Sequence, residues 1–154
     1  VNANAQLSPD DLARACADAM WKDDDASRGL GMKIAEVKAG QATLTMTVEP
    51  HMVNGQRLAH GGFIFTLADS AFAFACNSHN ERVVAARGDI TFIRPGKLGD
   101  VLVARAREIS RSGRSGIYDV QVTAGDVVIA EFRGHSRSIG GSWLPESGTD
   151  ANQK

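Results

Sequence analysis

The longest apolar stretch of the chain runs from Phe63 to Cys76 and holds only three polar residues, Thr66, Asp69 and Ser70. A segment of helical length that is apolar on nearly every face is predicted to be a helix covered by the rest of the fold. His60, Gly61 and Gly62 precede it, and Asn77-Ser78-His79-Asn80 provides a polar stop. Continuous from Gly61 to Asn77, such a helix would be about 25 Å long at 1.5 Å per residue. Upstream, residues 42–49 alternate, with Leu44, Met46 and Val48 on one face and Thr43, Thr45 and Thr47 on the other. That is the period of a half-buried strand, and an earlier strand is expected to begin near Met32. Ser8-Pro9-Asp10-Asp11 reads as a helix start, with a hydroxyl N-cap, proline in the first turn and acids at the positive dipole end; this helix is predicted to reach about Trp21. Lys22 to Ser27 is polar enough for a loop or short turn, and Gly29 and Gly31 punctuate the approach to the first strand.

After the central helix, four strand-like runs separated by turn residues predict an antiparallel meander. Alternation points Leu102, Ala104 and Ala106 inward, then Tyr118, Val120 and Val122, then Val128, Ala130 and Phe132. Arg111-Ser112-Gly113 and Ala124-Gly125-Asp126 are short enough to turn hairpins. A single apolar helix and five or six strands are satisfied together if the sheet curls around the helix. One domain is expected over residues 1–141. From Gly140 the composition turns to Gly, Ser, Asn and Lys, and a flexible tail is expected over 142–154.

Charge and composition narrow the partners. A chain of 154 residues is long enough to bury about two-thirds of the surface of its unfolded form. With 17 basic and 18 acidic residues it carries no electrostatic footprint for nucleic acid or an anionic membrane. Cys16 and Cys76 show no Cys-x-x-Cys or ligand spacing, and both read as reduced packing residues. His51, His60, His79 and His135 show no paired ligand spacing, so neither a metal nor another cofactor is expected. No apolar run is long enough to span a bilayer, the first residues lack a basic-then-apolar leader pattern, and a cytoplasmic protein is expected.

Asp69 is the residue that this picture leaves unexplained. A carboxylate in an apolar helix costs several kcal/mol unless it is protonated, hydrogen-bonded or needed, because desolvation disfavours the charge. One explanation is a structural carboxylate satisfied by Thr66 or Ser70. The other is chemistry. A helix N-terminus with glycines offers unpaired amides and a favourable dipole to a developing oxyanion, and glycine lets a substrate approach the backbone.

The run Asn54-Gly55, His60-Gly61-Gly62 and Leu67-Ala68-Asp69, continued by Ala71 to Asn77, resembles the hotdog-fold thioesterases of the phenylacetate degradation type (PaaI family). Ile90 to Arg94-Pro95-Gly96 resembles the family's long third strand and its exit. Gly116-Ile117-Tyr118-Asp119-Val120 is similar to its fifth, and Phe132-Arg133-Gly134 with Ser136 and Ile139-Gly140 to its last. The resemblance spans about residues 15 to 141 and implies an α+β hotdog fold, a curved antiparallel sheet wrapped around a long central helix. It implies an acyl-coenzyme A thioesterase, with arylacetyl groups as substrates and water as the only co-substrate. It also implies two subunits that pair through their sheets, active sites at their interface, and pairs that associate into a homotetramer.

By matching position, Asp69 would be the general base or nucleophile, and the Gly61 and Gly62 amides would hold the thioester carbonyl. His60 would orient the loop or contact that carbonyl. Asp69 lies about 11 Å along the helix axis from Gly62, so the resemblance implies that it serves the glycine turn of the partner subunit. Asn54 is a candidate for pantetheine or for its own turn. Asp23 stands where the family often has an asparagine that holds substrate or water, and Asp24 is the neighbouring alternative; an acid accepts there but does not donate. Arg94, Arg133 and Arg137 are candidates for the coenzyme A phosphates. The absence of Gly-x-Ser-x-Gly removes a serine hydrolase of the α/β type. The rivals that stay open are a hotdog enoyl-thioester hydratase or dehydratase and an acyl-coenzyme A binding protein without turnover.

Overall fold

The structure, a computed structural model, describes residues 6–145. Two helices open the chain, α1 (Pro9–Trp21) and the short α2 (Asp25–Gly29), followed by β1 (Lys33–Lys38) and β2 (Gln41–Thr47). A 3-10 turn at Pro50–Met52 and a loop lead to the central helix α3 (Gly61–Cys76). Then come β3 (Val83–Phe92), β4 (Val101–Ser112), β5 (Ser115–Ala124) and β6 (Val127–Ser138). The six strands form one sheet in the order β1-β2-β4-β5-β6-β3, antiparallel at every pairing. Its concave face holds α3, which packs against β2, β4 and β5 and touches the remaining strands. This is the hotdog arrangement expected from the sequence, with six strands around one long helix.

The buried set is the alternating set. Leu44, Met46 and Val48 from β2 and its exit, Leu102, Ala104 and Ala106 from β4, and Tyr118, Val120 and Val122 from β5 all lie in the core. Small residues on the sheet let large helix residues approach. Gly134 on β6 faces the Phe72 ring, where a Cβ would come within 2.8 Å of the ring carbons. Phe72 in turn packs on Tyr118 and Phe132.

The expected meander holds for β4-β5-β6 and fails for β3. Strand β4 has its two edges taken by β2 and β5, so β3 pairs instead with β6 and ends the sheet. On β6 the expected inward residue Val128 is only half-buried, while Ile129 is 1% exposed. The register shift between Val122 and Thr123 accounts for this: Val122 pairs with Ala130 and Thr123 with Val128, which leaves Ile129 as the bulged residue turned into the core.

The polar stretch after α1 is partly helical, because Asp24 caps α2 through its side chain. Helix α3 is also not covered on every side. Gly62, Thr66, Asp69 and Ala73 form a stripe at spacings of three and four residues that keeps some exposure.

The tail expected over 142–154 lies mostly outside the described residues. Within them, Trp143 is held: its Nε1 donates to Asn77 Oδ1 at 2.8 Å, and the Trp143 and Leu144 amides donate to Asn80 Oδ1 at 3.1 and 2.9 Å. The Arg82 guanidinium lies 4.2 Å over the Trp143 ring.

Candidate active site

Asn54 begins the site by folding the loop that leads into α3. Its Oδ1 accepts from the amides of Gln56 at 3.0 Å and Leu58 at 3.2 Å, and its backbone amide donates to Leu58 O at 2.8 Å. The side-chain oxygen is thus committed to the turn, as an Asx residue commonly is, while the amide NH2 is not used there.

His60 is the N-cap of α3, and its Nδ1 accepts the Gly62 amide at 2.9 Å. A ring that accepts at Nδ1 carries its proton, when neutral, at Nε2. The Gly62 amide is therefore occupied within its own chain. The Gly61 amide has no partner among the described residues, and it is the free donor at this helix end. Sequence reasoning treated the two glycines alike, and the cap distinguishes them.

Asp69 sits half-buried on the open stripe of α3. Burial pushes its carboxyl above the ordinary 3.8 of an aspartate. The two hydroxyls that would satisfy a structural carboxylate point elsewhere. Thr66 Oγ1 donates to Gly62 O at 2.8 Å, and Ser70 Oγ lies 2.8 Å from Ser27 Oγ. Ser27 is buried, and its Oγ donates to Asp24 Oδ2 at 2.7 Å while its amide donates to Asp24 Oδ1 at 2.9 Å. Asp24 thus clamps α2 onto α3 beside Asp69. Asp23 is exposed between α1 and α2. Of the two acids, Asp24 has a structural task and Asp23 faces solvent.

Gly61, Asn54 and Arg94 come together around a cleft of about 450 Å³, walled by Leu58, Ala59, Ile64, Phe92 and Ile93. That size and apolar character suit a small-molecule site. Arg94 is exposed at the cleft and donates to Val128 O at 3.0 Å. The other two arginines lie away from it on β6. Arg133 forks Asp119, with Nε to Oδ1 at 2.6 Å and Nη2 to Oδ2 at 2.8 Å. That pair holds the Asp119 carboxyl below its usual range. Arg137 lines a separate small cleft of about 270 Å³ with His135 and Ser136. A cleft of about 460 Å³ between α1 and β1 contains none of the residues expected in the site. Phe92 and Ile64 escaped the sequence reading, since an apolar residue in a strand or helix carries no chemical mark; only the closeness of β3 to the turn of α3 reveals them. Among the described residues no group of three or more His, Cys, Asp or Glu is placed to hold a metal, and no helix is long and apolar enough to cross a membrane.

Comparison with known proteins decides which chemistry the fold carries. Residues 56–131 match the Thioesterase superfamily. The chain is 42% identical over 132 residues to the acyl-coenzyme A thioesterase PaaI of Escherichia coli strain K12, covering 85% of this chain and 94% of that protein. It belongs to the hotdog-fold thioesterases of the phenylacetate degradation type. It is accordingly a thioester hydrolase. The solved structure of the E. coli PaaI protein superposes with a TM-score of 0.86 at 40% identity, covering 88% of this chain and 99% of that one. A mutant of the phenylacetic acid degradation protein PaaI from Thermus thermophilus superposes at 0.70 with 33% identity, covering 72% and 96%. The thioesterase match spans the α3 turn, Asp69 and the Phe92 to Gly96 segment, and begins just after Asn54.

Proposed function

We propose that this chain hydrolyses arylacetyl-coenzyme A thioesters, phenylacetyl or hydroxyphenylacetyl, to the free acid and coenzyme A, at sites shared by two copies of the chain. The observation that carries the reading is Asp69: half-buried, with its carboxyl pushed up by burial, and with Thr66 and Ser70 both engaged elsewhere. A carboxylate left without a structural partner in a poorly solvated place is a base or a nucleophile in waiting.

The Gly61 amide, at the positive end of α3, donates to the thioester carbonyl and stabilises the oxyanion that forms. Asp69 either draws a proton from water as that water attacks the carbonyl carbon, or attacks it and forms a mixed anhydride that water then opens. In both routes the C–S bond breaks, the sulfur leaves with a proton, and one water is consumed. Seven residues of helix put Asp69 about 11 Å along the axis from Gly62, so the carboxylate serves the Gly61 of a two-fold partner. Strand β3 supports that pairing. Ten residues long and exposed over most of its length at the end of the sheet, it presents a free edge to a second copy. Pairs then assemble into a tetramer. Asn54 offers its free NH2 to the pantetheine or thioester at the cleft. Of the three arginines, Arg94 is assigned to the coenzyme A phosphates, since Arg133 is occupied by Asp119 and Arg137 lies at another cleft.

The test is coenzyme A release from phenylacetyl-, hydroxyphenylacetyl- and straight-chain thioesters by the wild type and Asp69→Ala, with oligomer size measured for both. Turnover by the wild type and its loss in an Asp69→Ala protein of unchanged size supports the reading. Binding without hydrolysis by the wild type overturns it. Single-turnover hydrolysis in heavy-oxygen water tests the nucleophilic route: label in the Asp69 carboxyl arises only when water opens the anhydride at the aspartyl carbonyl.

A further inference from the structure

We infer that Phe92 is a specificity-determining residue of this cleft, its open ring face receiving the aryl part of the acyl group; the inference rests on the thioesterase reading above.

The chain has six phenylalanines, and five of them spend their rings on other aromatic groups. Phe63 meets His51 and His60 edge-on, Phe65 and Phe72 meet Phe132, and Phe74 meets Trp21. Phe92 has no aromatic neighbour among the described residues and is 51% exposed. Phe92 closes the strand assigned above to the subunit edge, so this exposure is that of the single chain. A large ring left half in solvent there is a favourable place for an apolar ligand to dock at a site shared by two copies.

Its position joins that open ring to the chemistry. The ring lies across Gly61, close enough that a Cβ there would sit 2.8 Å from Cζ and 3.2 Å from each Cε. Gly61 carries the amide left free by the His60 cap. A carbonyl seated on that amide places its first substituent atoms within reach of the ring. The backbone that carries the ring is anchored: Phe92 pairs with Ala130, and the next two amides, Ile93 and Arg94, both donate to Ile129 O, at 2.8 and 3.2 Å. Leu58, Ala59 and Ile64, which also line the cleft, are aliphatic. An aryl group in this cleft meets one ring among aliphatic side chains, with Asn54 and Arg94 as the polar members of the lining, whereas an alkyl chain gains burial but no ring-to-ring contact.

The experiment compares kcat/KM for phenylacetyl- and hexanoyl-coenzyme A in the wild type, Phe92→Leu and Phe92→Tyr, with oligomer size measured by light scattering. Leucine keeps an apolar side chain and removes the ring. Phe92→Leu is expected to lower the aryl-to-alkyl ratio about 3- to 10-fold, mostly through KM, at unchanged size, and Phe92→Tyr to restore it. An equal loss on both substrates, which a pantetheine wall would give, overturns the inference. So does dissociation of the oligomer, which would make Phe92 a subunit contact. A calorimetric comparison of phenylacetyl and hexanoyl thioether analogues on Asp69→Asn reads the same preference without turnover. Absence of hydrolysis in the wild type, with a Phe92-dependent preference for the phenylacetyl analogue retained, would sink the thioesterase reading and leave the aryl contact standing.

Discussion

At Asp69, stability and activity pull in opposite directions. Burial raises its carboxyl above 3.8, so over the interval between 3.8 and the raised value the folded chain binds more protons than the unfolded one. Stability therefore falls as the pH rises through that interval, and above it the full cost of the buried charge remains. Asparagine has the same shape and no charge. Asp69→Asn is expected to melt at a higher temperature than the wild type at pH 7.5, with the gap closing as the pH approaches 4, while turnover drops about 10²- to 10⁴-fold. Thermal melts across pH check the first part and coenzyme A release the second. An Asp69→Asn protein less stable than the wild type at neutral pH would show that the carboxylate is a structural partner after all. At the other end of the reaction, Gly61→Ala keeps helical backbone but drives a methyl into the Phe92 ring. It is expected to lower kcat about 10²-fold, through displacement of the oxyanion donor, without a comparable loss of stability.

The elements carry their own weak points, away from the site. Glu108 on β4 accepts from Tyr118 Oη at 2.7 Å and faces His79 Nε2 at 2.8 Å, tying the end of α3 to the sheet. Burial pushes this carboxyl up, but the Tyr118 and His79 hydrogen bonds outweigh it and hold the group below 4.5. Its contribution is thus present above pH 4.5 and lost as the pH falls through the lower folded value. Tyr118→Phe removes one of those bonds. We expect a loss of about 1 to 2 kcal/mol and an acid-unfolding midpoint displaced to higher pH, both followed by circular dichroism. Such long-range ties were not legible in the sequence. Alternation fixes which face a residue takes, so the cores of β2, β4 and β5 were readable, and the run from Phe63 to Cys76 was readable as a helix, though not the open stripe along Gly62, Thr66, Asp69 and Ala73. Alternation does not say which strand lies next door. Hence β3 was misplaced beside β4, the Arg133 fork on Asp119 was invisible, and one bulge at Ile129 exchanged Val128 for Ile129 in the core. The clamp Asp24-Ser27-Ser70 was hidden for the same reason, since it joins residues 43 apart.

For the whole molecule, the site was legible where its residues are neighbours in sequence and obscure where the fold assembles them. The stretch from Asn54 to Asp69 announces a turn, a helix end and a buried acid, whereas Phe92 reaches Gly61 only because β3 runs to the sheet edge beside it. That same edge leads to a property no single chain holds. In the proposed two-fold pair, each site takes its free amide from one chain and its carboxylate from the other. A pair formed from one Asp69→Asn chain and one Gly61→Ala chain therefore has one site with both defects and one site with neither. Equal mixing of two nearly inactive variants, after subunit exchange, gives half of all pairs as hybrids, each with a single intact site. Activity is expected to recover to about a quarter of the wild-type value, read as coenzyme A release before and after exchange. If Asp69 served the Gly61 of its own chain, every site in every hybrid would carry one defect and exchange would restore nothing.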